Sequence, residues 1–238
     1  MTMRLLHYQG RRLGTPKEQR LARVVVATPP CPLPFEGAGP KNMIIETHSP
    51  EEVIAEAFRD LPAMWNKMKE PLKRLQRRVK VDKSILNTTQ LFPYRSHSGN
   101  NWLVAVLCTK KCLRIAPFVW YRGRDGAYRA ARVVEDGVSY HITHHVLEQY
   151  FNRFNRTCDG MERMKEFVRE NMMFGAEHGL DNNEIRVGIS HGYITGRWII
   201  PHQVAQLTTF VDHGKLFQDQ IEQMDRLDEW PMRDSGMR

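Results

Sequence analysis

The stretch SYHITHHVLEQYFNRFNR, residues 139–156, has three histidines within five consecutive positions and arginines near its end. On an ideal helix starting near residue 144, one narrow face carries His145, Gln149, Asn152, Arg153 and Arg156. A neutral histidine can take a proton from a hydroxyl, and an arginine can neutralise charge that develops on phosphate oxygens. The pattern therefore fits phosphodiester cleavage. It also fits the solvated polar face that amphipathic helices normally have.

The elements around this stretch are helices and short strands in successive blocks. Ser49 before Pro50 and two acidic residues predicts a helix start, with the apolar pattern restarting at Pro62 and a kink near Pro71. Four strands forming an antiparallel meander are predicted at 101–108, 113–121, 127–134 and 138–143. Then follow helices at 144–156 and 160–174, a loop at 175–184, strands at 185–190, 192–200 and 204–212, and a helix from 215. This order predicts an α+β fold with a mostly antiparallel sheet.

Composition divides the chain into three parts. Residues 1–42 hold seven basic and two acidic residues, a net of +5 out of the total of +8, and they are rich in proline. We expect this part to be a disordered or non-native extension. Residues 43–83 are predicted to form a helical segment with a basic face, and residues 84–238 an α+β core domain. No apolar run is long enough to span a bilayer and no export signal is evident, so a cytoplasmic protein without a membrane partner is expected.

The basic face of the helical segment is a candidate phosphate-binding surface. Residues 66–80 carry seven basic side chains against the single acid Glu70. Lys73, Arg74, Arg77 and Arg78 lie off the apolar stripe of this helix. Such a face contacts either nucleic-acid phosphates or only solvent.

Seven of the ten histidines lie between residues 141 and 213, which raises the possibility of a zinc site. However, no HExxH motif occurs, and the Cys108-x3-Cys112 pair has no counterpart at a matching spacing. No nucleotide-binding glycine motif and no serine-nucleophile motif is present. The sequence therefore predicts neither a metal site nor a cofactor.

The segment ITHHVLEQYFNRF, together with the later strand QVAQLTTFVDHGKL, resembles the barnase/RelE-like ribonuclease-toxin superfamily over about residues 139–214. By position, His145 matches the histidine of the family motif and Arg153 its second arginine, while Thr208 or Thr209 matches the late-strand threonine. Gln149 stands where the family has its first arginine, so a second guanidinium would have to come from Arg156 or Arg197. The resemblance implies metal-independent cleavage of RNA.

Two main hypotheses follow from these observations. In the first, the protein acts on nucleic acid, RNA rather than DNA, as a ribonuclease-like enzyme whose acid/base is His145, with Tyr140 or Tyr193 stacking on a base. In the second, it is a non-catalytic nucleic-acid or protein-binding module of a mobile element or prophage. A third, structural interpretation leaves the histidines to satisfy hydrogen bonds.

Overall fold

The computed structural model describes residues 43–135, 137–154, 159–172, 174–177, 183–199 and 203–212. The predictions for residues 1–42, for Arg156 and for the helix from residue 215 lie outside these ranges. Within them the fold is α+β, with three α-helices and a mixed nine-stranded sheet.

The helices are α1 (Pro50–Val81), α2 (His144–Arg153) and α3 (Gly160–Glu170), and a short 3-10 turn spans Lys83–Ile85. The first five strands are β1 (Thr89–Arg95), β2 (Asn101–Cys108), β3 (Leu113–Arg122), β4 (Tyr128–Arg132) and β5 (Ser139–Ile142). The others are β6 (Gly175–Glu177), β7 (Glu184–Ile189), β8 (Gly192–Ile199) and β9 (Val204–Asp212).

The sheet joins the four strands of the predicted meander, with the unpredicted strand β1 at their outer edge, to the later strands in the order β1-β2-β3-β4-β5-β9-β8-β7-β6. Every pair is antiparallel except β5 and β9, which run parallel with Ser139 opposite Val204 and Ile142 opposite Leu207. Strand β6 lies in a segment for which the sequence predicted only a loop, so that prediction was wrong. Its three residues pair with β7, and such a short edge strand leaves no periodic signal.

Helix α1 starts where the sequence predicted, with a capping box in which Ser49 and Glu52 satisfy each other's backbone amides. The predicted restart at Pro62 is wrong, because one continuous helix of 32 residues contains both Pro62 and Pro71. An interior proline removes one helical hydrogen bond. Here apolar side chains on both sides of Pro62, among them Leu61, Met64 and Met68, are buried against the sheet and offset that loss.

Alternate residues of the central strands serve two separate cores. Trp102, Val104 and Val106 of β2 pack under α1, whereas Leu103 and Ala105 face α2 and α3. The result is a three-layer arrangement with α1 on one face of the sheet and the other two helices on the opposite face. Where β5 ends and α2 begins, this arrangement leaves a concave site beside the start of α1.

Candidate functional site

A pocket of about 470 Å³ opens between the start of α1, the start of α2 and the sheet. Its walls come from three parts of the chain that are far apart in sequence. The lining residues are Glu46, His48, Pro50, Tyr121, Arg129, His141, Thr143, His144, His145, Gln206, Thr208 and Thr209. We call it the His145 pocket. Three of the four residues that the sequence proposed as catalytic, namely His145, Thr208 and Thr209, line it.

The N-terminus of α2 faces this pocket without a side-chain cap. Thr143 occupies the N-cap position in an extended conformation, yet its hydroxyl makes no capping hydrogen bond, and the first turn holds no acidic residue. The first amides of a helix lack intrahelical partners and carry the positive end of the helix dipole. An anion is the natural partner for such an end when it opens on a cavity.

Several polar atoms in the pocket wall are shielded from water and have no hydrogen-bond partner among the described residues. They are Nδ1 of His48, Nδ1 of His141 and Oγ1 of Thr143. Buried polar groups in folded proteins are nearly always paired, and a group that is not paired needs an explanation such as a bound ion or ligand. All three atoms belong to residues that line this one cavity, which makes the cavity the candidate site.

His141 and Tyr121 form a neutral pair at the base of the pocket. The Tyr121 hydroxyl lies 2.7 Å from Nε2 of His141, whose side chain is only 3% exposed. Burial, together with the smaller effect of the nearby Arg129 charge, lowers the pKa of His141 to about 4. Burial also raises the pKa of Tyr121 to about 12. Both groups are therefore uncharged at neutral pH. Whichever imidazole nitrogen carries the proton, Nδ1 remains a buried hydrogen-bonding group without a partner among the described residues.

A β-bulge in β9 brings two successive threonines to the same pocket. Thr195 of β8 pairs with Thr209, but the next residue, Gly196, pairs with Leu207, so Thr208 is the extra residue. Side chains alternate between faces in a regular strand, and a bulge re-aims them locally. The Thr208 hydroxyl lies 3.4 Å from the Thr195 carbonyl oxygen. Gly196 permits the close approach, because a Cβ there would come within 2.1 Å of the Gln206 carbonyl oxygen.

The other described residues of the predicted α2 face do not line the His145 pocket. Arg153 forms an ion pair with Asp212 in a neighbouring pocket, and it does not line the His145 pocket. Gln149 accepts a hydrogen bond from the Phe210 amide at 2.8 Å. Arg197 donates to Gln206 at 2.9 Å and so reaches the pocket only through that side chain. His145 and Arg153 are separated by about 12 Å of helix rise.

The two tyrosines proposed to stack on a base are buried, Tyr140 at 7% and Tyr193 at 9% exposure. Tyr140 packs edge-on against Phe174. Neither ring presents a face to a base in this conformation.

The basic residues proposed to bind phosphates, Lys73, Arg74, Arg77 and Arg78, lie toward the other end of α1, about 35–42 Å along its axis from Pro50. Arg74 and Arg78 line a groove of about 400 Å³ with Gln90, Leu91 and Phe92 of the edge strand β1. Lys73 pairs with Glu70 at 2.9 Å and Arg78 with Asp82 at 3.6 Å, both on the exposed surface. Exposed pairs of this kind are weak and leave the cations available to another anion.

Sequence reasoning did not assign Arg129, His48 or the Tyr121–His141 pair to the site. His141 alternates with the core residues Tyr140 and Ile142 on a short strand, so strand periodicity alone would have placed it on the opposite face. Nothing in the sequence indicated that α1 covers the face of the sheet that carries His141, or that Tyr121 of β3 lies beside it.

No protein-family model, curated protein or solved structure matches this chain. Among the described residues, no three His, Cys, Asp or Glu side chains are arranged to hold a metal ion. Within the same ranges, none of the helices combines the length and apolar character needed to cross a bilayer.

Proposed function

We propose that this protein binds a phosphodiester of RNA in the His145 pocket and cleaves it without a metal ion, in the cytoplasm. The observation that carries the proposal is the convergence of an uncapped helix N-terminus, three unpartnered buried polar atoms and an exposed histidine on one cavity. Each of these features favours an anionic ligand or a proton-transfer step.

The reaction suited to these groups is transesterification within the RNA strand. The ribose 2′-oxygen forms a bond to the adjacent phosphorus while the bond from phosphorus to the 5′-oxygen breaks. His145, which is exposed, takes the proton of the 2′-hydroxyl, and a proton from water neutralises the departing 5′-oxygen. The hydroxyls of Thr143 and Thr209 and the first amides of α2 are suited to donate to the phosphate oxygens, while the Thr208 hydroxyl donates to the Thr195 carbonyl oxygen. DNA lacks the 2′-hydroxyl and cannot react in this way.

The basic end of α1 supports a longer substrate. Lys73, Arg74, Arg77 and Arg78 present cations on a face that does not contribute to the core. We infer that they contact phosphates remote from the reacting one, and that Arg197, beside Gln206, contacts the strand near the pocket. Arg156 was proposed for the same role from the sequence alone.

A cleavage assay tests this function directly. The full chain is incubated with labelled RNA and with DNA of the same sequence, in the presence of EDTA. We expect RNA fragments ending in 2′,3′-cyclic phosphate and intact DNA, and at least a hundredfold loss of rate in His145→Ala. His97→Ala is the matched control, since His97 is an exposed histidine in the β1–β2 turn.

One observation favours the alternative of a binding module without catalysis. Arg153 is engaged by Asp212 and Gln149 by the Phe210 amide, so α2 offers no free guanidinium to a transition state in the described residues. Two results together would favour this alternative over the enzyme. RNA would stay intact in the assay, and it would bind with strong salt dependence and with the same affinity to the wild type and to His145→Ala.

A further inference from the structure

The His145 pocket needs a cation if it is to hold a phosphate, and the matching positions of α2 do not supply one. The position at which the resembling family has an arginine is Gln149, and its amide oxygen is used by Phe210. Arg153 lies in a different pocket, paired with Asp212. The described part of the chain has one arginine in the wall of the His145 pocket, and this is Arg129 of β4.

Arg129 is held in place by the β3–β4 hairpin. Asp125 accepts hydrogen bonds from Nη1 at 2.9 Å and from Nη2 at 2.8 Å, and it also accepts from the Ala127 amide at 3.0 Å. The Arg129 guanidinium, through that hydrogen bond, lowers the pKa of Asp125 to about 2. The pair therefore stays ionised over the whole physiological range. A fork held by two parallel bonds has a fixed orientation.

The Nη2 atom of this guanidinium also reaches the first turn of α2. Asp125 occupies the end formed by the two terminal nitrogens, and Nε makes no hydrogen bond to any described residue. Nη2 also lies 3.3 Å from Nδ1 of His144, in the first turn of α2. The edge formed by Nε and Nη2 is the one that binds a phosphate through two parallel bonds.

Gly123 leaves room for the guanidinium. A Cβ at this position would lie 1.5 Å from Nη1 of Arg129 and 2.9 Å from Oδ1 of Asp125. Any side chain at Gly123 would therefore displace the tip of Arg129. Because the displaced atoms are the flexible end of a side chain, the backbone need not move.

We infer that Arg129, delivered by the β3–β4 hairpin, is the guanidinium that binds the phosphate in the His145 pocket, in place of an arginine on α2. This rests on the proposed function. Arg129 lies in the meander, residues 84–143, almost all of which precedes the segment that resembles the toxin family.

Inorganic phosphate is the probe for the first test, with the full-length protein. Phosphate titration is followed by the NMR shifts of the His144 and His145 amides, a readout that does not require cleavage. We expect Arg129→Gln to weaken binding about tenfold or more and Arg153→Gln to change it less than twofold. Arg129→Lys should lie between, because an ammonium retains the charge but not the fork.

Gly123→Ala is the control for charge removal and misfolding. It retains the Arg129 charge and displaces only the guanidinium. We expect it to weaken phosphate binding to a similar extent as Arg129→Gln, with an unchanged melting temperature. Equal phosphate affinity in the wild type, Arg129→Gln and Gly123→Ala would overturn the inference, as would a loss confined to Arg153→Gln or an absence of phosphate binding in the wild type.

The cleavage assay separates this inference from the proposed function. If the wild type cleaves RNA and Arg129→Gln cleaves it equally fast, the assignment of Arg129 fails while the ribonuclease function stands. If no RNA is cleaved but phosphate binding depends on Arg129, the binding site stands and the catalytic proposal fails.

Discussion

The Tyr121 hydroxyl and Nε2 of His141 lie 2.7 Å apart beneath the His145 pocket, on two strands separated by β4 in the sheet. Burial, with a smaller effect of the nearby Arg129 charge, lowers the pKa of His141 and keeps this histidine neutral inside the protein. The arrangement makes the stability of the fold depend on pH in a defined direction.

The first prediction concerns that dependence. The pKa of His141 falls from 6.5 to about 4 on folding, so between these values the unfolded chain binds the proton that the folded protein excludes. The contribution of neutral His141 to the free energy of unfolding is complete above pH 6.5. It is lost as the pH falls toward 4, at up to about 1.4 kcal/mol per pH unit. Urea unfolding as a function of pH should show a shallower loss in His141→Gln. The exposed His97→Gln should follow the wild type, and parallel curves for all three proteins would contradict the assignment.

A second prediction concerns Gln149 of α2. Its contact with the Phe210 amide ties α2 to β9, so Gln149→Ala should lower the free energy of unfolding by about 1 kcal/mol. Hydrogen exchange of the Phe210 amide should accelerate at the same time. Asn152→Ala, on the same helix face, is the comparison. Unchanged exchange at Phe210 would show that the hydrogen bond is not formed in solution.

The bulge in β9 leads to a third prediction. Gly196→Ala forces a Cβ against the Gln206 carbonyl oxygen, and backbone on one strand or the other has to shift. We expect a loss of about 1–3 kcal/mol in the free energy of unfolding, together with shifted NMR signals from Thr208 and Thr209. At Gly137 an added Cβ would meet only a Val134 methyl group at 3.3 Å, so Gly137→Ala should have the smaller effect. Equal effects at both sites would argue against a close approach at the bulge.

The fourth prediction tests the basic end of α1 and rests on the proposed RNA binding. Arg74→Ala combined with Arg77→Ala should make the dependence of log Kd on log salt concentration less steep, by about 0.7 for each phosphate of single-stranded RNA that the variant no longer neutralises. The double variant Lys110→Ala and Lys111→Ala removes two exposed cations from the β2–β3 turn and should leave the slope unchanged. The assignment fails if both double variants reduce the slope equally.

Features that depend on neighbouring residues could be predicted from the sequence. The capping box at Ser49, the hairpin at Asp125-Gly126 and the apolar stripe of α2 are set by contacts within a few residues, and each has a recognisable pattern. The same local rules wrongly predicted a break in the helix at Pro62, because they consider only the hydrogen bond that a proline removes. They do not count the apolar area that a long helix buries against a sheet.

Local patterns along the chain predict the α+β class and a helix that begins with two histidines and bears an arginine further on. Which of those residues share a pocket depends on long-range contacts. The parallel pairing of Ser139 with Val204 brings Thr208 and Thr209 to His145, and the meander brings Arg129. The ion pair with Asp212 holds Arg153 elsewhere. Such long-range pairings are selected by the burial of both sheet faces together, and no short stretch of sequence carries that information.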